Sequence, residues 1–175
     1  MKIHAVDDRK DLFQVHGILN DTLLKQLSKE ILECIPYTKQ EWQEEWNRRR
    51  LLPMPGSTLE HIETYIDNQK HIIGPAVGLN VTKIATRFWL DYDGFDCQRH
   101  FDNDGVDYVM QIFLSDCPSN LGTVFYDNDV VRKAFDFQIN SGYIMFNNKN
   151  QLHGMENKVP EKVQRLTSYS YFQTN

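Results

Sequence analysis

The second half of the chain contains three residues whose types and spacing suit an open metal site. His100 and Asp102 are two positions apart in CQRHFDNDG, and His153 follows Asp102 by 51 positions (153 − 102) in QLHGMEN. Residues at i and i+2 of a β-strand point to the same face, so the end of one strand could direct both His100 and Asp102 toward one ion. A histidine from a distant strand would complete the ligand set.

The ligand types also indicate which metal such a site would hold. Structural zinc sites fill their coordination sphere with protein ligands and favour cysteine. Two histidines and one carboxylate instead cover one triangular face of an octahedron and leave three positions open, an arrangement typical of non-haem Fe(II). We therefore expect Fe(II) at His100, Asp102 and His153. The alternative is a polar turn, because a His-x-Asp triplet also arises by chance.

A cation near the C-terminus is the second chemical feature. Arg165 lies 12 positions after His153 (165 − 153) and begins the run RLTSYSYF. The planar fork of arginine binds carboxylates bidentately, and no fixed carboxylate is close to Arg165 in sequence. We expect a bound dicarboxylate as its partner, with Thr167 on the same strand face as a second donor. The alternative is an exposed arginine in a surface ion pair.

A β-rich core must position these residues, and the sequence after residue 80 predicts one. Short runs rich in β-branched and aromatic residues alternate there with clusters of Asp, Asn, Gly and Ser. Eight short strands indicate a sandwich, a jelly roll or a barrel. The runs are VTKIATRFWLDY, FDCQRHF, DYVMQIFLS, GTVFYD, KAFDFQI, GYIMFNN, QLHGMEN and RLTSYSYF.

Before residue 80, apolar residues recur with helical spacing. The pattern predicts helices over 19–35, where Asn20 or Asp21 can cap the first turn, over 38–52 and over 57–68. The basic run at 48–50 is expected to be the solvated end of the second helix. The chain is thus predicted to be one α+β domain over 1–175, with a mainly helical flank at 1–79 and a β core at 80–175.

Composition narrows the classes of function and location. The formal net charge is −5, so no broad basic field is available for nucleic acid, and a nucleic-acid partner is not expected. The three cysteines, Cys34, Cys97 and Cys117, are too few and scattered for a disulfide framework and fit a reducing compartment. Neither an apolar leader nor a membrane-spanning run of roughly 18 residues is present. We expect a soluble cytoplasmic protein.

From about Lys83 to Phe172, the chain resembles the 2-oxoglutarate- and Fe(II)-dependent dioxygenases, nearer to their prolyl-4-hydroxylase-like and phytanoyl-hydroxylase-like branches. The resemblance rests on the His-x-Asp motif, the distal histidine and the arginine 12 positions beyond it. LGTVFY, at the position of a Gly-Gly-x-Thr-x-Phe turn, and SGYIMFNN before LHG support it.

The resemblance implies a double-stranded β-helix, or jelly roll, with N-terminal flanking helices. It further implies Fe(II) bound by His100, Asp102 and His153, and 2-oxoglutarate held at its far carboxylate by Arg165 and Thr167. With O₂, the reaction implied is hydroxylation of a peptide, such as at a prolyl residue, or of a small molecule, with release of succinate and CO₂.

Several positions depart from the family patterns. Cys97 replaces the tyrosine that prolyl hydroxylases usually place three residues before the first metal histidine. In a regular strand its side chain would face away from His100, so a packing role is expected. Arg165 replaces the usual lysine, and Leu121 replaces the first glycine of the turn. Tyr171 stands where DNA-repair demethylases carry a second arginine, and Asp102 differs from the small residue of related halogenases.

Two other functions remain open from sequence. One is a jelly-roll binding module without turnover, which metal dependence would distinguish from an enzyme. The other is a cupin-like metalloenzyme that does not use 2-oxoglutarate, which would not need Arg165.

Overall fold

The computed structural model describes residues 1–34, 45–46, 48–52, 58–102, 105–149 and 151–175. The strands in these ranges are β1 (Lys2–Ala5), β2 (Leu12–His16), β3 (Glu45–Trp46), β4 (Arg49–Leu51), β5 (Val81–Asp91), β6 (Tyr108–Phe113), β7 (Thr123–Asp127), β8 (Val130–Phe135), β9 (Ser141–Phe146), β10 (Leu152–Gly154) and β11 (Arg165–Thr174). The helices are α1 (Asp21–Cys34), α2 (Thr58–Asn68) and α3 (Lys70–Ala76).

Two antiparallel sheets carry the fold. The large sheet has eight strands in the order β1-β2-β9-β6-β11-β5-β4-β3, and the small sheet has the order β10-β7-β8. Two backbone hydrogen bonds hold the segment before His100 to the chain that follows β10: Met155 N–H donates to the Cys97 carbonyl at 2.8 Å, and Val159 N–H donates to the Phe95 carbonyl at 3.0 Å. The segment does not form a regular strand. This segment brings the His-x-Asp motif to the edge of β10.

Alternate residues of the large sheet pack into two different cores, as the two-residue period of a strand requires. Ile112 and Ile144 face α2, together with Ile62 and Ile66. Their strand neighbours face the small sheet, in a second core that includes Phe113, Tyr143, Phe125 and Phe135. The large sheet therefore lies between the helices and the small sheet.

The structure confirms two of the predicted helices and corrects the third. α1 and α2 cover most of the first and third predicted helices. Within the second, at 38–52, the described residues form β3 and β4, and residues 38–44 and 47 lie outside the described part of the chain. Pairing of β4 with β5 supplies backbone hydrogen bonds and buries Arg49, which outweighs a weak local helix preference.

The region before residue 80 also holds β1 and β2 beside its helices. These strands form a hairpin, and β2 extends the large sheet by pairing with β9. From Phe13 to His16, buried and half-buried residues alternate, as in a half-buried strand, and the alternation of Phe, Gln, Val and His is already present in the sequence. Among the described residues, no helix has the length and apolar character to cross a membrane.

Candidate active site

His100, Asp102 and His153 meet at one point between the two sheets. Nε2 of His100 is 3.1 Å from Oδ1 of Asp102, and Nε2 of His153 is 3.8 Å from the same oxygen. The candidate ligand atoms of the three residues all lie within 4.8 Å of one another. That spacing allows all three side chains to reach one ion.

The two histidines are joined through their backbones. His100 N–H donates to the His153 carbonyl at 2.8 Å, and His153 N–H donates to the His100 carbonyl at 3.0 Å. This reciprocal pair is an isolated bridge, and Asp102 follows it outside any strand. The predicted strand FDCQRHF is therefore wrong, although the convergence that it was meant to explain is observed.

Gly154 allows this close approach of the His-x-Asp segment to β10. A Cβ atom at position 154 would lie 2.9 Å from the Arg99 nitrogen and 2.9 Å from the Cys97 carbonyl oxygen. Both are backbone atoms, which cannot move aside as a flexible side chain can. The small residue after His153 thus fixes the distance between the two histidine-bearing segments.

Each imidazole is held by a backbone carbonyl two residues earlier. Nδ1 of His100 is 2.8 Å from the Gln98 carbonyl, and Nδ1 of His153 is 2.9 Å from the Gln151 carbonyl. A carbonyl only accepts, so Nδ1 carries the proton in both rings. The lone pair of a neutral ring is then on Nε2, which is the atom facing Asp102.

Tyr169 of β11 orients the carboxylate. Its hydroxyl donates a short hydrogen bond to Oδ2 of Asp102, while Oδ1 faces the histidines. Sequence analysis missed Tyr169, although it lies on the same face of β11 as Arg165 and Thr167. The two-residue period of the strand places Tyr169 on the face of Arg165 and Thr167. It does not show that the phenol contacts Asp102, which lies far away in sequence.

The surroundings favour an ionised Asp102 between a protonated His100 and a neutral His153. Burial opposes the charge on Asp102, but hydrogen bonds from His100 and Tyr169 and the nearby His153 hold the pKa of Asp102 below its usual value. The hydrogen bond to Asp102 raises the pKa of His100 to about 10, and burial lowers the pKa of His153. Without metal, His100 and Asp102 form an ion pair whose proton a metal would displace.

Arg165 is buried and already has a carboxylate partner, contrary to the expectation from sequence. Its side chain is 1% exposed, and Nη1 donates to Oδ2 of Asp91 at 2.5 Å, while Nε donates to the Leu121 carbonyl at 2.8 Å. Asp91 is 74 positions away (165 − 91) but lies directly opposite in the pairing of β11 with β5. A surface ion pair, the stated alternative, is excluded by the burial of both partners.

Arg49 is the second unexpected member of the site. It was predicted to belong to a solvated helix end, but its side chain is 14% exposed and lines the same cavity as Arg165 and His153. Nε donates to Oδ1 of Asp91 at 2.5 Å and Nη2 donates to Oδ2 at 3.0 Å. Nothing in the local sequence distinguishes Arg49 from its neighbours Arg48 and Arg50.

Thr167 is buried in the core, whereas Cys97 lines the cavity. The hydroxyl of Thr167 is fully buried and has no hydrogen-bond partner among the described residues. Cys97 faces the cavity, with Sγ 3.8 Å from Nδ1 of His100. The expectation that Cys97 points away from His100 is wrong, because the segment bends instead of continuing as a regular strand.

The cavity continues into a polar network that the sequence did not single out. The Tyr143 hydroxyl donates to Oε1 of Gln111 at 2.8 Å, and the Thr123 hydroxyl donates to the same oxygen at 3.3 Å. All three side chains line the cavity together with Arg165. Burial raises the pKa of Tyr143, so its phenol remains a neutral donor.

Solved structures similar to this chain include prolyl hydroxylases and non-haem α-ketoglutarate-dependent enzymes, which confirms the family resemblance at the level of the fold. A Pseudomonas putida prolyl-4-hydroxylase is 16% identical with a TM-score of 0.68, covering 98% of this chain and 97% of its own. A Trichoplax adhaerens prolyl hydroxylase, in complex with a hypoxia-inducible-factor peptide fragment, is 12% identical with a TM-score of 0.71, covering 97% and 87%. HygX from Streptomyces hygroscopicus, with nickel and 2-oxoglutarate bound, is 9% identical with a TM-score of 0.65, covering 94% and 83%.

No protein-family model and no curated protein sequence matches the chain. The similarity is therefore one of three-dimensional structure.

Proposed function

We propose that this protein is an Fe(II)- and 2-oxoglutarate-dependent dioxygenase on a double-stranded β-helix, and that it hydroxylates a peptide or a small molecule. The observation that carries the proposal is the convergence of His100, Asp102 and His153 in a cavity that also contains the buried Arg165. A metal site alone would fit many proteins. A metal site facing a buried arginine fits an enzyme that binds a dicarboxylate beside its metal.

The donor set fits Fe(II). The Nε2 atoms of both histidines and one carboxylate oxygen are close enough to reach one ion. Among the described residues, no cysteine sulfur joins them as the fourth ligand of a closed zinc site, since Cys97 approaches Nδ1 of His100 and not Nε2. When bound, Fe(II) would activate O₂ for oxidative decarboxylation of 2-oxoglutarate and oxidation of a C–H bond, with release of succinate and CO₂. The chain holds the ligands in place: backbone carbonyls fix both rings, and Tyr169 fixes the carboxylate.

The residues present also fit 2-oxoglutarate. Asp91 and the Leu121 carbonyl use Nη1 and Nε of Arg165, and Nη2 makes no hydrogen bond to any described residue. The partnerless hydroxyl of Thr167 belongs to the same face of the same strand. A buried cation with an unused donor and a buried hydroxyl without a partner are both groups that a bound carboxylate would satisfy.

The fold neighbours guide the proposal on substrates. One of them is in complex with a peptide fragment, and another, SnoN, is an epimerase from nogalamycin biosynthesis, so the fold serves more than one kind of reaction. We propose a peptide or a small molecule for this chain as well. Cys97 facing the cavity in place of a tyrosine shows that the inner wall differs from that of typical prolyl hydroxylases.

The decisive experiment is calorimetric titration of 2-oxoglutarate into the Mn(II)-loaded protein and its Arg165→Ala variant. Loss of a buried, charge-assisted contact should weaken binding roughly 30- to 1,000-fold, on the order of 2–4 kcal/mol. Mn(II) affinity should hardly change, because Arg49 still pairs with Asp91 and leaves no buried charge uncompensated. Arg165→Lys should be milder, since lysine offers a point charge and not a fork.

Equal 2-oxoglutarate affinities in wild type and Arg165→Ala would contradict the proposal and favour a metalloenzyme of the cupin type. Anaerobic addition of Fe(II) and 2-oxoglutarate should also produce a weak visible charge-transfer band, and its loss in Asp102→Ala but not in Asp129→Ala would tie it to this site. Succinate release in a screen of candidate substrates would then distinguish an enzyme from a binding module.

A further inference from the structure

The buried arginines and the carboxylate between them form one charged row across three neighbouring strands. Asp91 of β5 lies directly opposite Arg49 on β4 and directly opposite Arg165 on β11. Side chains directly opposite each other in antiparallel strands are neighbours on one face. Both oxygens of Asp91 are used, Oδ1 by Arg49 and Oδ2 by both arginines.

This row carries an excess of one positive charge, because two guanidinium groups surround one carboxylate (+2 − 1 = +1). Asp91 is 0% exposed, Arg165 is 1% exposed and Arg49 is 14% exposed, so water screens these charges weakly. If Arg49 were absent, Asp91 would neutralise Arg165 and the row would carry no net charge. The positive charge that faces the cavity through Arg165 therefore depends on Arg49.

Arg49 is held in place by more than its ion pair. Its guanidinium lies 4.4 Å from the ring centroid of Phe95 and 5.7 Å from that of Trp89. Stacking against aromatic faces suits the planar, weakly hydrated guanidinium. The bidentate contact and the aromatic packing together direct Arg49 at Asp91. The negative charge of Asp91 is then shared between two arginines and does not fully neutralise Arg165.

We propose that Arg49 is a positioning residue of the dicarboxylate site: it occupies Asp91, and thereby keeps the charge of Arg165 available to the far carboxylate of 2-oxoglutarate. The inference rests on the proposed function, because it takes 2-oxoglutarate as the ligand of Arg165. It adds that β4, which lies outside the stretch whose sequence resembles the family, supplies a charge on which the site depends.

The test removes the charge of Arg49, then also that of Asp91, and measures 2-oxoglutarate affinity by titration into Mn(II)-loaded protein. Arg49→Met should weaken 2-oxoglutarate binding roughly 10- to 100-fold, although Arg165 is untouched. Arg49→Met combined with Asp91→Asn restores one net positive charge and should return the affinity to within about threefold of wild type. The matched control is Arg48→Met, which removes the same formal charge from an exposed neighbour and should change the affinity less than about twofold.

Mn(II) affinity and thermal melting of each variant establish that the protein is folded. Arg49→Lys provides a milder change that keeps the charge, and its 2-oxoglutarate affinity should lie between those of wild type and Arg49→Met.

Wild-type affinity in Arg49→Met, no recovery in the double variant, or a lysine variant as weak as the methionine variant would each overturn the inference. In all three cases the dioxygenase proposal would stand. Absence of 2-oxoglutarate binding by the Mn(II)-loaded wild type would instead overturn both, so the two failures are distinguishable.

Discussion

Arg165, Thr167 and Tyr169 share one face of β11, and Arg165 and Tyr169 line different parts of the candidate site. Arg165 pairs with Asp91, Tyr169 donates to Asp102, and Thr167 between them has a buried hydroxyl without a partner among the described residues. One strand thus connects the Arg165 end of the cavity to the end formed by His100, Asp102 and His153. Substitutions at these positions should separate the two functions.

Tyr169→Phe should weaken Mn(II) binding about tenfold, because loss of the hydrogen bond frees Asp102 to rotate away from the histidines. Titration calorimetry with Mn(II) measures the effect directly. Tyr171→Phe is the matched control, since it removes a hydroxyl from the same face of the same strand. An unchanged Mn(II) affinity in Tyr169→Phe would show that Asp102 is oriented by other contacts.

Thr167→Val should have opposite effects on the free protein and on the complex. Removing a buried hydroxyl without a partner should raise the free energy of unfolding by about 1 kcal/mol. The same change should weaken 2-oxoglutarate binding several-fold if the hydroxyl donates to the ligand, and Thr167→Ser should retain that binding. Urea unfolding and calorimetry measure the two effects, and a Thr167→Val protein that binds 2-oxoglutarate as wild type does would remove Thr167 from the site.

Residue types and spacing predicted four members of the site because metal ligation and carboxylate binding restrict chemistry to few side chains. His100, Asp102, His153 and Arg165 were found in this way, and the structure brings them into one cavity. Asp91 could not be found, because its role depends on lying opposite Arg165 across 74 positions of sequence. Register between distant strands is a property of the whole sheet and leaves no local signal.

Elements were predicted well where period-2 alternation was long and less well near the site. β5, β6, β7, β9 and β11 coincide with predicted runs. The segment 95–101 has strand-like residues, but hydrogen bonds to the chain after His153 hold it as an irregular edge. The position of His100 depends on its backbone bridge to His153 and on Gly154, and these tertiary constraints outweigh β propensity.

The N-terminal hairpin is attached to the small sheet by Arg132 of β8. Its guanidinium donates to both oxygens of Asp7 at 2.9 Å, to Asp11 at 2.5 Å, and to Gln151 at 2.9 Å, two residues before His153. Hydrogen bonds from Arg132 hold the pKa of Asp7 well below its usual value. This contact links the N-terminal hairpin to the segment that leads into His153, a candidate metal ligand.

The lowered pKa of Asp7 predicts a dependence of stability on acid. A group whose folded pKa is depressed contributes stability that is present above its unfolded value, near 3.8, and is lost as the pH falls toward the folded value. Arg132→Met should therefore lower the free energy of unfolding by about 2 kcal/mol at pH 6 and by less at pH 2.5. Urea unfolding at both pH values measures this difference, with Lys133→Met as control, and an equal loss at both pH values would contradict the role of Asp7.

At the scale of the whole molecule, the candidate site lies between the two sheets and connects them. His153 belongs to the small sheet, whereas Tyr169 and Arg165 belong to the large sheet. The hydrophobic core between the sheets includes residues of both, such as Phe113 and Phe125. A metal held at this point should therefore stabilise the global fold and not only one loop.

Mn(II) at about 100 times its dissociation constant should stabilise the protein by about 2.7 kcal/mol and raise Tm by roughly 5–10 °C. Asp102→Ala should abolish the increase, because the ion loses its anionic ligand. Asp129→Ala changes an exposed carboxylate and should leave the increase intact. Thermal melting by circular dichroism measures the shift, and an Mn(II)-dependent increase that survives in Asp102→Ala would place the ion elsewhere.

The reciprocal backbone hydrogen bonds of His100 and His153 have a kinetic consequence. Each residue's amide proton is bound to the carbonyl of the other, so neither proton can reach solvent until the two segments separate. Hydrogen–deuterium exchange at the two amides should then proceed at one common rate, set by a single opening of the protein. An ion that bridges the two imidazoles would slow that opening, and the exchange of these two amides would record the residence time of the metal.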